Sequence, residues 1–358
     1  MTLPNQQNLP IHYLSAVFGD VTNSYKFYWF LGILDSVALE NKQQITIDSL
    51  LSKMIAEVWY PVHYFKLSFG KQDQVFQYAQ SIKANFTLSD DVKKTEIAAF
   101  IFKNAITEVR PLGRYVPYRF LTPWFAADLR GMIDVQKNPK VVELSKIKDN
   151  LSLYYFDENE TSIIINDDWT DYIKKHYSIL QAFTYWHLLK YLQKNNPNVP
   201  NIIEKLNSPQ ARNLTAARNF WHIILENQEI RCIYSNQIMN KSDFSLDHFV
   251  PWSFVTHDLV WNLAPIPKNI NSAKNNSLPS LKTYLDNFSN LQYIAFNEIL
   301  NQPKNGKFIE DYVLLFNNDV REIQSLSKES FKQKINETIT PLIQIATNTG
   351  FSPDWIYK

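Results

Sequence analysis

Cysteine is almost missing from this chain: Cys232 is the only one in 358 residues. A lone thiol excludes an intramolecular disulfide and any cysteine-rich zinc knuckle, so no structural zinc is expected and a reducing cytoplasm is the expected setting. Glycine is scarce as well, at seven residues. With long stretches free of proline, this argues against a fold of many tight hairpins and for a mainly helical one. No segment approaches ~18 uninterrupted apolar residues, and the opening MTLPNQQNLPIHYL lacks a basic stretch followed by an apolar run. Neither membrane insertion nor export is therefore signalled. Net charge is missing too, since 36 Lys and Arg stand against 35 Asp and Glu for a total of +1. That disfavours a protein that coats DNA through an extended basic face, and it requires any phosphate-binding surface to be local. What the chain has is apolar material, 45% hydrophobic and 14% aromatic, sufficient for the cores of two or three compact units.

Periodicity and capping residues predict how that material is arranged. Thr22 or Asn23 can cap a helix to about Leu39, with Phe27, Phe30, Leu31, Leu34 and Val37 at helical spacing. Asp48 can start another that ends before Pro61, and Ser89, Asp90 and Asp91 a third that runs to about Val109 before Pro111 and Gly113. Two β-prone runs around a polar DENE turn predict a hairpin at 151–165. A long aromatic helix follows from Asp168 until Asn195, Asn196 and Pro197 stop it. The polar, proline-interrupted stretch 195–213 is the best boundary, and a helix over 215–226 leads out of it. Beyond Lys274 an amphipathic helix, an interruption at QPKNGK and two more helical runs, from Phe308 and Ser330, are expected. The expected class is α+β, mainly α. Its parts are a helical region over 1–212 with one hairpin, a small ββα domain over 213–280, and a helical C-terminal region over 281–358.

The chemistry concentrates in LDHFVPWSFVTHDLVWNLAPIPKNINSAK, which begins at Leu246 and ends at Lys274. Phosphodiester hydrolysis needs a base for water, a cation on the phosphate and stabilisation of the departing 3′ oxygen. His248 suits the base, because imidazole is largely neutral near pH 7 and can still take a proton. A strand over 244–249 is predicted to end at the Asp247-His248 pair, followed by a loop over 251–259 and an antiparallel strand over 260–266. Pro267 suits the first turn of a short helix on which Asn271 and Lys274, three apart, share a face. Oxygen donors from Asp247 and Asn271 favour a hard divalent cation, Mg²⁺ or Mn²⁺, that keeps several waters.

This order of residues resembles the HNH nucleases and their strand, loop, strand, helix arrangement, the ββα-metal fold. The DHxxPxSF start and the spacing through Asn262 to Asn271 and Lys274 are similar to the HNH domain of the RNA-guided CRISPR effector nucleases. The resemblance spans about 231–279. It implies Asp247 and Asn271 as metal ligands and His248 as general base. It also implies Asn262 as the residue holding the inter-strand loop through backbone hydrogen bonds, and Lys274 as a phosphate contact. Many HNH proteins carry paired CxxC zinc motifs here. In this chain Cys232, Ile233 and Tyr234 of the leading CIYSNQIMN segment are expected to serve as ordinary apolar packing.

Other features have plainer readings. His257 and Asp258 read as a polar loop tip rather than a second metal site. Trp252 and Phe254 read as residues that seal the small core or dock it. Arg110, Arg114, Arg119 and Arg130, interleaved with aromatics, are candidates for nucleic-acid contact, with salt bridges and packing as the alternative. The function expected is a cytoplasmic, metal-dependent endonuclease acting on DNA, in restriction or anti-phage defence, alone, as a homodimer or with a partner protein. The alternatives are an RNA-cleaving nuclease and a non-catalytic nucleic-acid-binding module of the same fold.

Overall fold

In the computed structural model, which describes residues 2–19, 21–209, 211–302 and 306–358, the chain is α+β and mainly helical, with five short strands among the described residues. It divides into two units: Met1–Pro197 with Ile202–Ser208, and Asn198–Asn201 with Pro209–Lys358. No helix is long and apolar enough to cross a membrane among the described residues.

The first unit is built around the helix Tyr25–Ala38, which contacts both Ile47–Trp59 and Asp167–Asn195. Its spaced apolar positions are buried, and so are Tyr28, Trp29 and Ile33 between them. A helix that is apolar on every side is a core element rather than a surface one. Gly32 allows close approach here, because a Cβ at that position would stand 3.2 Å from the Leu50 side chain.

Several boundaries differ from the expectation. Thr46, not Asp48, caps Ile47–Trp59 by accepting a bond from the Ser49 amide. Pro61 lies inside a π-turn, Tyr60–Tyr64, that continues the helix instead of ending it. The helix expected from Ser89 starts at Lys94 and is interrupted by a second π-turn, Ile101–Ala105. Asp73 caps a helix, Gln74–Phe86, that the apolar spacing did not reveal. The hairpin, β2 (Tyr154–Phe156) and β3 (Ser162–Ile165), gains a third strand from β1 (Gln44–Thr46), in antiparallel order β1-β3-β2. Three residues, QIT, are too short to show a period of two.

The second unit carries the predicted catalytic segment. Here β4 (Ser245–His248) pairs antiparallel with β5 (Leu263–Ile266), with Asp247 opposite Ala264 and His248 opposite Leu263. The helix Lys268–Lys274 abuts β4. Both strands are shorter than expected. Residues 260–262 form a 3₁₀ turn, and the intervening loop holds a helical turn, Trp252–Val255. The helices Leu281–Leu300, Gly306–Phe316 and Lys328–Asn348 belong to this same unit. Phe249 stacks on Phe288 with ring centroids 4.2 Å apart. Gln292 donates to the Leu263 carbonyl at 2.7 Å and accepts from the Tyr312 hydroxyl at 2.6 Å. Of the expected QPKNGK interruption, residues 303–305 lie outside the described residues.

His63, 4% exposed, sits edge-on to Trp59 and donates to the Ala79 carbonyl. Burial, with the Lys83 charge, holds its pKa down at about 4 instead of 6.5. The folded state thus prefers neutral imidazole, and the stability this provides is complete above pH 6.5 and is lost as pH falls toward 4. We expect the first unit to lose up to about 1.4 kcal/mol per pH unit across that window. Urea denaturation of wild type and His63→Gln at several pH values checks this, and the variant should show a shallower acid slope.

Candidate active site

Strand β4 ends at the Asp247-His248 pair because the chain there turns away under the control of Asn262. The Asn262 side chain, 0% exposed, accepts from the Val250 amide and donates to the Val250 carbonyl, each at 2.9 Å. Its own carbonyl accepts from the Phe249 amide. One carboxamide thus takes the place of a ladder step just past His248, which explains why β5 begins only at Leu263.

Asp247 is 3% exposed and has both oxygens engaged. Oδ1 accepts from the Lys274 ammonium at 2.9 Å, and Oδ2 accepts from the Tyr234 hydroxyl at 2.7 Å. Lys274, 0% exposed, also donates to the His248 carbonyl at 2.7 Å. Lys274, expected as a phosphate contact, is thus placed against Asp247 and the His248 carbonyl. Its ammonium is enclosed, because the buried carboxylate beside it needs a counter-charge and a donor. Tyr234 is more than apolar packing, since its hydroxyl holds the second Asp247 oxygen.

His248 is 7% exposed, and its Nε2 lies 2.8 Å from Asp258 Oδ1. The same oxygen accepts from Arg212 at 3.1 Å, and the Arg212 guanidinium lies over the Trp252 ring at 4.7 Å. Burial holds the imidazole below the usual histidine value even with a carboxylate beside it. Burial alone would raise the Asp258 carboxyl, but the His248 bond and the Arg212 charge outweigh it and leave it below the usual range. Asp258 is thus no mere loop tip. Neither it nor Arg212 was singled out as a site residue, because a bond across ten positions of irregular loop leaves no periodic trace in sequence.

Asn271 is half-buried, one turn before Lys274 on the helix against β4, and its side chain makes no hydrogen bond among the described residues. Asp247 and Asn271 offer oxygen donors only, and each Asp247 oxygen accepts one bond and keeps a further lone pair. This set fits a hard divalent ion that retains water. No group of three or more His, Cys, Asp or Glu is placed to enclose a metal among the described residues. The four candidate arginines lie in the first unit. Arg110 is paired with Asp48 and shares a cleft with Arg114, Arg119 lies over the Tyr115 ring and lines another cleft, and Arg130 is exposed.

With this geometry in view, comparison with known families matches residues 232–280 to the model described as HNH endonuclease. That segment is therefore similar to the HNH endonuclease family. No curated protein and no solved structure matches the chain. The HNH match begins at Cys232 and ends just before the Leu281–Leu300 helix, so it covers β4, β5, the short helix and, apart from Arg231, the small hairpin around Tyr234 that the antiparallel Arg231–Ile238 bridge closes. The HNH endonuclease family implies nucleic-acid binding.

Two stability effects follow from the buried bonds. Lys274→Met leaves the Asp247 carboxylate without its cation and should cost about 3–5 kcal/mol. The double variant Asp247→Asn/Lys274→Met should cost clearly less than the two singles added together. Asn262→Ala strands the Val250 amide and carbonyl and should cost about 3 kcal/mol. Guanidinium denaturation of the four variants measures all of these.

Proposed function

We propose that the protein is a metal-dependent HNH endonuclease that hydrolyses DNA, with His248 as the general base. The observation that carries this reading is the convergence, within the matched domain, of a buried carboxylate, a base-competent imidazole and a carboxamide-bearing helix on one strand end. His248 takes a proton from the attacking water, and its lowered pKa keeps it neutral and ready at physiological pH. Lys274 and Tyr234 hold Asp247 in one orientation, and Asn262 holds the chain after His248 so that the base does not drift. Asp247 and Asn271 would hold the divalent ion, Mg²⁺ or Mn²⁺, which when bound supplies charge neutralisation at the phosphate. Cleavage leaves a 5′ phosphate and a 3′ hydroxyl. A single site cuts one strand per visit, so a double-strand break needs two subunits or two visits. Restriction or anti-phage defence in the cytoplasm is the setting this chemistry suits, with the helical first unit, including its arginines, as the candidate for target selection.

The test is cleavage of supercoiled plasmid and of a folded RNA, with Mg²⁺, Mn²⁺ or chelator. We expect nicked plasmid with either metal, none with chelator, and little cut RNA. His248→Ala should slow nicking at least about 100-fold with an unchanged melting temperature. Preferential RNA cleavage would replace the substrate, and DNA binding without cleavage under any divalent metal would leave a non-catalytic module.

A further inference from the structure

We infer that Asp258, held by Arg212, is the positioning residue of this site: it fixes the His248 proton on Nε2 and leaves Nδ1 as the nitrogen that receives the proton from water. This deepens the reading of His248 as the base and rests on it. The argument is one of donors and acceptors. An ionised carboxylate only accepts, so at 2.8 Å from Asp258 Oδ1 a neutral imidazole must place its N–H on Nε2. Its lone pair then lies on Nδ1, which makes no hydrogen bond among the described residues. The acceptor is itself anchored. Arg212 donates to the same Oδ1 at 3.1 Å, and its plane rests on Trp252, so the ring, the cation and the carboxylate form one chain ending at the imidazole.

The backbone carrying Asp258 is tied on the side leading to Asn262. The Asn262 amide donates to the Leu259 carbonyl at 3.0 Å, and the Val260 amide donates to Asp311 Oδ2 at 2.8 Å, the latter from the Gly306–Phe316 helix. A loop tied in this way holds its carboxylate in one place, which a freely mobile polar tip would not do. The same bond sets ring rotation as well as tautomer, because a second point of attachment beyond Cβ removes the freedom of the imidazole to turn. No carboxylate other than Asp258 contacts the His248 ring among the described residues, so this role has no substitute nearby.

The experiment pairs a spectrum with kinetics on the full-length protein. Long-range ¹H–¹⁵N correlation of ¹⁵N-histidine-labelled protein, without metal and at a pH where His248 is neutral, reads which ring nitrogen bears the proton. We expect a protonated Nε2 and a bare Nδ1, with the Nε2 proton shifted downfield and that shift lost in Asp258→Leu. Against plasmid with Mg²⁺, Asp258→Leu should lower kcat about 100-fold with KM unchanged, and Asp258→Asn, which keeps an acceptor oxygen, should recover part of it. A protonated Nδ1 in wild type overturns the inference, as does a loss confined to KM or equal kcat in all three proteins. If Asp258→Leu does not fold, the wild-type spectrum and Asp258→Asn decide. A wild type that shows the expected spectrum but cuts nothing sinks the nuclease reading while the fixed tautomer stands, so the two failures are separable.

Discussion

The buried pair of Asp247 and Lys274 is the constraint from which the site is assembled. A carboxylate at 3% exposure and an ammonium at 0% are tolerable only together, because each alone would sit in a medium that cannot solvate it. Their bond ties β4 to the Lys268–Lys274 helix, and the second bond from Lys274 to the His248 carbonyl fixes the backbone at His248. Tyr234 reaches Asp247 from the leading hairpin, where many HNH domains hold zinc. A hydroxyl at the carboxylate and a packed aromatic, edge-on to Tyr284 and Trp355, join the hairpin to the rest of the unit.

The small ββα segment does not bury itself. Two strands of four residues and a seven-residue helix expose too much apolar surface to be stable alone. The helices after residue 280 supply the missing wall: Phe288 under Phe249, Gln292 on the β5 backbone, Asp311 on the Val260 amide. Gln292 satisfies a buried strand-edge carbonyl, and Tyr312 in turn satisfies Gln292, so a polar chain runs through an otherwise aromatic core. The loop that carries Asp258 is fastened to the same wall. Stability of the C-terminal helices and geometry at His248 are therefore one problem, not two.

Legibility of the chain followed the range of the interactions. The helix over 167–195 was readable because burial repeats along it at helical spacing, and the one over 25–38 because its apolar run is long enough for a buried helix. The strand end at His248 and the short helix to Lys274 were readable because Pro251 and Pro267 punctuate them. The β1 strand was not, being three residues whose partner lies more than a hundred positions away. Nor were the bonds of Tyr234 and Asp258, since a tyrosine beside apolar neighbours and an aspartate in a loop read as packing and as solvent-facing charge. Helical phase sets Lys274 on one face with Asn271, but it cannot say whether that face ends in solvent or in a buried carboxylate.

By itself, then, the order of residues determined that an acid, a base and two carboxamides occur at the spacing of an HNH segment, and that helices surround it, because motif spacing and apolar period are local properties. Only the tertiary structure decided what each group touches. It made Lys274 the buried partner of Asp247 and gave His248 a carboxylate from a loop ten residues on. It also placed the C-terminal helices in the core beneath the strands. These are contacts between groups far apart along the chain, and they exist because desolvated charges and unpaired backbone groups must find partners wherever folding brings them.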